Sequence, residues 1–136
     1  MDGLLLASWE ARFFGGVGVA NPFAPSACTN YSILQDMLEG SDPRDPFGCP
    51  NVPAVNFNYP VVNLVLTNNT IELHFQWPAV YVGRFNFGVR QTTALGNSFI
   101  DLPVTGPINV AGNEFKMTAN FTSSAESYFY LTVSLQ

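Results

Sequence analysis

The chain has a single histidine, His74, in a run of alternating apolar and polar residues, Ile71 to Trp77. Any Ser–His–Asp hydrolase built here would have to use it as the base. Serines and aspartates are too plentiful for their presence to select a partner, so a structural or surface histidine is the expectation. Zinc needs three or four ligands, and one histidine with two distant cysteines is a poor set. Paired carboxylates could serve glycoside hydrolysis. The candidates are Glu72, Asp101, Glu114 and Glu126, and no spacing singles out a pair. Asp42 and Asp45 in the DPRDP stretch could ligate calcium. Arg44 lies between them, however, and Asp-Pro steps are ordinary turn formers. Gly15-Gly16-Val17-Gly18 has neither a following Lys-Ser/Thr nor a βαβ frame, so it is not a phosphate loop. The expectation is therefore a non-enzyme with no cofactor and no metal.

The two cysteines, Cys28 and Cys49, allow one bridge and leave two reduced thiols as the alternative. Closing a loop of ~20 residues contributes about 3 kcal/mol in the chain-entropy model. No CxxC pair is present to suggest redox or metal chemistry. The sequons at Asn30, Asn68 and Asn120 matter only in a secretory pathway, and a chain this rich in Asn and Thr produces them by chance.

Composition narrows the partners. The chain has 136 residues, enough for one domain with a real interior, and 47% of them are hydrophobic. Charged residues make up only 11%, against roughly 25% in a typical soluble domain. The cations are Lys116, Arg12, Arg44, Arg84 and Arg90. Residues 1–46 hold six acids and two bases, and residues 47–136 hold four acids and three bases. Neither part has the basic stripe that phosphate neutralisation requires, which argues against direct nucleic-acid binding. No segment approaches the roughly 20 apolar residues of a membrane span. The opening MDGLLLASWEARFF lacks a basic n-region, and Glu10 and Arg12 interrupt its apolar run. The expectation is a chain retained in the producing cell.

These side chains need elements to position them. Residues 1–50 read as an irregular, partly helical N-terminal arm, and residues 51–136 as a β body. Leu4 to Phe14 can form a short helix with Leu5, Leu6, Trp9 and Phe13 near one stripe. The Gly- and Pro-rich stretch from Phe14 to Ser26 then reads as an extended arm. A second short helix is expected from Ser32 to Glu39, capped by Asn30 or Ser32 and stopped at Gly40. From about Ala54 the period becomes two. Val55, Phe57 and Tyr59 alternate with Asn56 and Asn58; Val62, Leu64 and Leu66 alternate with Asn63, Val65 and Thr67. Asn68-Asn69 suits a tight hairpin, after which Ile71, Leu73, Phe75 and Trp77 share a face. Tyr81, Phe85, Phe87 and Val89 continue the pattern; then come a hairpin at Ala111-Gly112-Asn113, a strand carrying Phe115, Met117, Ala119 and Phe121, and a last strand carrying Phe129, Leu131, Val133 and Leu135. Seven or eight short strands imply a mainly β fold, an antiparallel β-sandwich of jelly-roll or Greek-key type.

Twelve Phe, five Tyr and two Trp are many for this length. Most belong in the core, yet Trp9, Phe13, Phe14 and Phe23 fall in the arm, where partners within the arm are few. Exposed aromatics beside few charges resemble the centre of a protein–protein contact. The leading expectation is thus a structural subunit, a minor capsid or other virion protein assembled inside a host cell and packed among other protein subunits. The alternative is an extracellular module for an apolar small ligand. IELHF (71–75), GRFNF (83–87) and LPVTG (102–106) resemble strands of the insect takeout and juvenile-hormone-binding family over about a quarter of the chain. That resemblance implies a lipid-carrier-like activity, but the family's Lys-rich surface and greater length are missing here. A carrier would enclose an apolar pocket; an assembly subunit would leave an apolar face open.

Overall fold

Two helices and seven strands occupy the residues that the computed structural model describes, 4–92, 99–121 and 127–136. They form two compact units, one running to Asn58 and including Leu135, the other running from Tyr59 to Ser134 and including Gln136. The break expected after residue 50 therefore falls eight residues later. The stretch expected to be a strand from Val55 to Tyr59 forms no strand and begins inside the first unit. Its physical reason is local. Gln35, wholly buried, donates from Nε2 to the Pro53 carbonyl (2.9 Å) and accepts at Oε1 from the Val55 amide (2.9 Å). A side-chain amide thus takes the place of a neighbouring strand, and Pro60 cannot extend a ladder.

In the first unit, helix α1 spans Ala7–Phe14 rather than starting at Leu4. Leu6 occupies the cap position with extended backbone and offers no side-chain oxygen to the first turn, while Gly15 ends the helix at φ 80°. Helix α2 spans Ile33–Glu39. Of the two possible caps, Ser32 serves: its Oγ accepts the Gln35 amide at 3.1 Å. Asn30 instead adopts φ 71° in the preceding turn. Gly40 stops the helix at φ 76°. Ile33 through Leu38 are all buried, including Gln35 and Asp36, so loops surround this helix on its polar side as well. Two of those loop contacts are the Leu34 amide on the Pro22 carbonyl and the Ile33 amide on the Ala24 carbonyl. Cys28 and Cys49 are joined by a disulfide with their Cα atoms 5.6 Å apart, an ordinary span for such a bridge.

The second unit is a sandwich of two antiparallel sheets. Strands β1 (Asn63–Thr67), β2 (Thr70–Gln76), β6 (Glu114–Asn120) and β5 (Val104–Ala111) form one sheet in that order. Strands β4 (Ile100–Leu102), β3 (Phe85–Thr92) and β7 (Tyr128–Leu135) form the other. Asn68, at φ 29°, turns β1 into β2 with Thr67 opposite Thr70, and Gly112, at φ 53°, turns β5 into β6. The strand expected to begin at Tyr81 is a 3₁₀-helix over Ala79–Arg84 and becomes extended only at Phe85.

Strict alternation builds the core. On β2 and β6 the register sets Ile71 against Ala119, Leu73 against Met117 and Phe75 against Phe115, all buried. Val89 of β3 joins them, with Leu102, Phe129 and Leu131 packed against the cluster. An aromatic group ties the sheets together: Trp77 meets Phe85 edge-on at 5.0 Å, and Phe75 lies 5.2 Å from Phe87. Such pairs contribute about 0.5–1.5 kcal/mol beyond their burial. No described helix is long and apolar enough to cross a membrane.

Candidate functional site

Alternation that buries one face of β2 and β6 presents the other face to solvent. The register places His74 opposite Lys116 and Gln76 opposite Glu114. Around this point the structure gathers charges that sequence spacing left scattered. His74 Nε2 lies 3.1 Å from Glu72 Oε1, and its Nδ1 lies 3.3 Å from Glu114 Oε2. Lys116 Nζ approaches the same Glu72 oxygen at 3.7 Å. Glu72 and His74 come together because residues two apart on a strand share a face, whereas Glu114 arrives diagonally from β6. Only the doubly protonated imidazole can donate to both carboxylates at once.

Among the described residues, the hydrogen bonds of His74 run to Glu72 and Glu114, not to a serine, threonine or cysteine that it could activate. The two carboxylates grip different ring nitrogens instead of converging on one point. Among the described residues, no three His, Cys, Asp or Glu side chains are arranged so that they could hold a metal ion. An open hollow of about 220 Å³ lies alongside, lined by Val61, Asn63, His74, Phe75, Gln76 and Glu114. All four side chains are partly exposed, and ion pairs of that kind contribute about 0–1 kcal/mol.

The other candidates disperse. Asp101 on β4 pairs with Arg90 on β3 at 2.8 Å, away from the first sheet. Glu126 lies outside the described residues. Asp42 accepts the Arg44 backbone amide, and Asp45 the Phe47 amide, so each closes its own turn. Asn68 sits in the hairpin turn between β1 and β2, and Asn120 accepts a hydrogen bond from Thr70 at the far end of the same ladder.

Of the aromatic residues expected in the arm, three cluster. Trp9 lies 5.0 Å from Phe13 and 5.9 Å from Phe14, ring centre to ring centre. The guanidinium groups of Arg12 and Arg44 each stand 5.0 Å from the Phe13 ring centre. Phe23 sits elsewhere, on the rim of a second hollow of about 190 Å³ with Tyr31, Val55 and Phe57. All four remain partly exposed.

Two features had no signal in the sequence. One is Glu10, an acid inside the apolar opening run. Its carboxylate is buried and accepts the amides of Gly18 and Ala20, each at 2.9 Å. The glycine-rich stretch does bind an anion, then, but the anion is the chain's own side chain. The Ala20 amide foremost, and then that of Gly18, hold the Glu10 carboxyl below its ordinary pKa.

The other is β1, an edge strand whose five residues are all exposed. Leu64 stands opposite Leu73 and Leu66 opposite Ile71, so both point to the core side of the sheet. They are nevertheless 45% and 60% exposed. Among the described residues the opposing sheet has three strands and this one has four, with β1 at the edge of the wider sheet. Hydrophobic alternation marked these leucines as core; it could not mark which strand would lie at the edge. Searches against protein-family models, curated proteins and solved structures find no match, so the takeout-like stretches gain no support from them.

Proposed function

We propose that this chain is a non-enzymatic structural subunit that packs against neighbouring protein, of the kind that builds a virus particle or a comparable shell or fibre. One observation carries the reading: Leu64 and Leu66 face the core side of an edge strand and remain exposed. An apolar strand with open backbone groups is a template for another chain. Supporting it, the charged fraction of 11% leaves a surface with few ionic groups to keep it solvated alone. The His74 lattice, with a carboxylate beside each ring nitrogen, favours a structural role over a catalytic one. The partly exposed cluster of Trp9, Phe13 and Phe14 adds a second apolar patch.

Sedimentation velocity of the purified full chain over a wide concentration range tests this, with electron microscopy of the heaviest fractions. Species heavier than the monomer that grow with concentration, from a dimer upward, are expected. A single monomeric species that persists at high concentration overturns the reading. Turnover of any substrate lost on replacing His74, Glu72, Asp101 or Glu114 by alanine would overturn it equally.

A further inference from the structure

Backbone register identifies which groups of β1 are open. The turn between β1 and β2 contains two residues, Asn68 and Asn69, and closes on Thr67 opposite Thr70. In such a hairpin the closing pair exchanges hydrogen bonds, and bonded and non-bonded pairs then alternate along the ladder. Thr67, Val65 and Asn63 therefore turn their N–H and C=O groups toward β2. Leu66 and Leu64 turn theirs to the open edge.

From this geometry we propose that β1 is the interface between two copies of the chain, paired antiparallel about a two-fold axis that passes beside Val65. The proposal rests on the subunit reading above and names the partner at its edge strand. The register follows from the outward groups. With Val65 opposite its own copy, Leu64 of one molecule lies opposite Leu66 of the other. Those are the residues whose backbone groups need partners, so each outward N–H and C=O of the pair is satisfied. Residues opposite one another share a face, so Leu64 and Leu66 of both copies meet on the inner side of the continuous sheet, where the opposing sheet leaves each uncovered.

Charge permits this pairing. The strand, NLVLT, carries no ionisable side chain, and no like charges face each other across the two-fold. Edge strands that avoid partners use charge, proline, bulges or shortness, and β1 has none of them over its five residues. The opposite edge of the same sheet is blunted. Strand β5 carries Pro107, and its pairing with β6 shifts register between Thr105 and Ile108 and again between Asn109 and Ala111. In the other sheet, β4 is three residues long and bears Asp101. Each copy carries a formal net charge of −5, so raising the ionic strength should tighten the pair.

Two measurements on the full chain test the proposal. In sedimentation velocity, the wild type should shift with concentration from 14.9 kDa toward twice that mass. Leu66→Lys should weaken the dimer at least tenfold, while Val110→Lys on β5 should leave it within twofold. Because a charged residue could disturb the hairpin, Leu64→Pro serves as a second variant. It removes an N–H that points to the open edge and not to β2, and it should abolish the dimer while the far-ultraviolet spectrum is kept. For register, Val65→Cys should cross-link to its own copy on mild oxidation, since directly opposed Cα atoms of a non-bonded pair lie about 4.5 Å apart. Thr67→Cys, which lies opposite Asn63 of the copy, should not cross-link. Oligomers that form equally with Leu66→Lys, or that cross-link through Thr67→Cys and not Val65→Cys, overturn this proposal and leave the subunit reading standing. A wild-type chain that stays monomeric throughout overturns both.

Discussion

Replacing Glu10 by alanine should release the loop that follows α1. The Gly18 and Ala20 amides each donate to this carboxylate at 2.9 Å, and the side chain that accepts them is buried. Hydrogen bonds to a charged group contribute about 1.5–3 kcal/mol each. Gly18 is exposed and Ala20 partly so, which lets both amides hydrate once the acceptor is gone and favours the lower bound. The pair then contributes about 3 kcal/mol, and at 1.4 kcal/mol per decade this corresponds to about 100-fold in the opening equilibrium. Amide hydrogen exchange followed by NMR reads that equilibrium residue by residue. In Glu10→Ala the protection of Gly18 and Ala20 should fall by about that factor, while the amides of Leu73 and Met117 in the β-sandwich keep theirs. Glu10→Gln retains one acceptor oxygen and should lose about tenfold, roughly the square root of the full effect. Acid should act in the same direction. The folded pKa of Glu10 lies below its unfolded value, so its contribution is present above the ordinary carboxylate range and is lost as pH falls through the depressed value. Protection at both amides that stays within twofold in Glu10→Ala would refute the reasoning.

Two further perturbations probe the interior. Asp36 is wholly buried and its carboxylate oxygens find no well-formed hydrogen bond; burial raises its pKa, and the Ser26 hydroxyl offsets this only in part. The sign is opposite to that of Glu10: stability is greatest below the ordinary carboxylate value and declines as pH rises through the raised one. Denaturation midpoints of the first unit should show that decline, and Asp36→Asn should flatten it; a wild-type midpoint that rises across the same range would contradict the assignment. Leu73→Ala opens the sandwich core at a fully buried site and should cost about 2–5 kcal/mol in chemical denaturation. A loss under about 1 kcal/mol would show that the two sheets do not close over it.

Glu10 and β1 bear on the subunit reading in different ways. The stretch after α1, read as an extended arm, is fastened to Glu10 of its own helix, so it needs no neighbour to hold it. Exposed apolar side chains are found on the edge strand and also at Phe47, Val61 and Val80. Pro22 and Ala24, whose carbonyls accept amides at the start of α2, fasten the same stretch to the first unit as well.

Local pattern by itself determined the β-sandwich. A period of two is a property of the extended backbone, so Ile71, Leu73 and Phe75 declare a face wherever their strand is placed, and Met117 and Ala119 do the same. The Asn68-Asn69 turn, the Gly112 turn and the Gly40 stop of α2 were legible for the same reason, since each depends on backbone preferences within a few residues, while the cap of α2 stayed open between Asn30 and Ser32 until the structure chose Ser32. What depends on distant partners was not. The alternation of Val55, Phe57 and Tyr59 looks like a strand, yet the amide of Gln35 from the first unit takes the hydrogen bond that a ladder would need. Glu72, His74, Glu114 and Lys116 become neighbours only through the β2–β6 register. Leu64 and Leu66 carry the pattern of core residues, and strand order alone leaves them at an uncovered edge. Periodicity determines which side of a strand is apolar, whereas the number and order of strands in the facing sheet decide whether that side is buried.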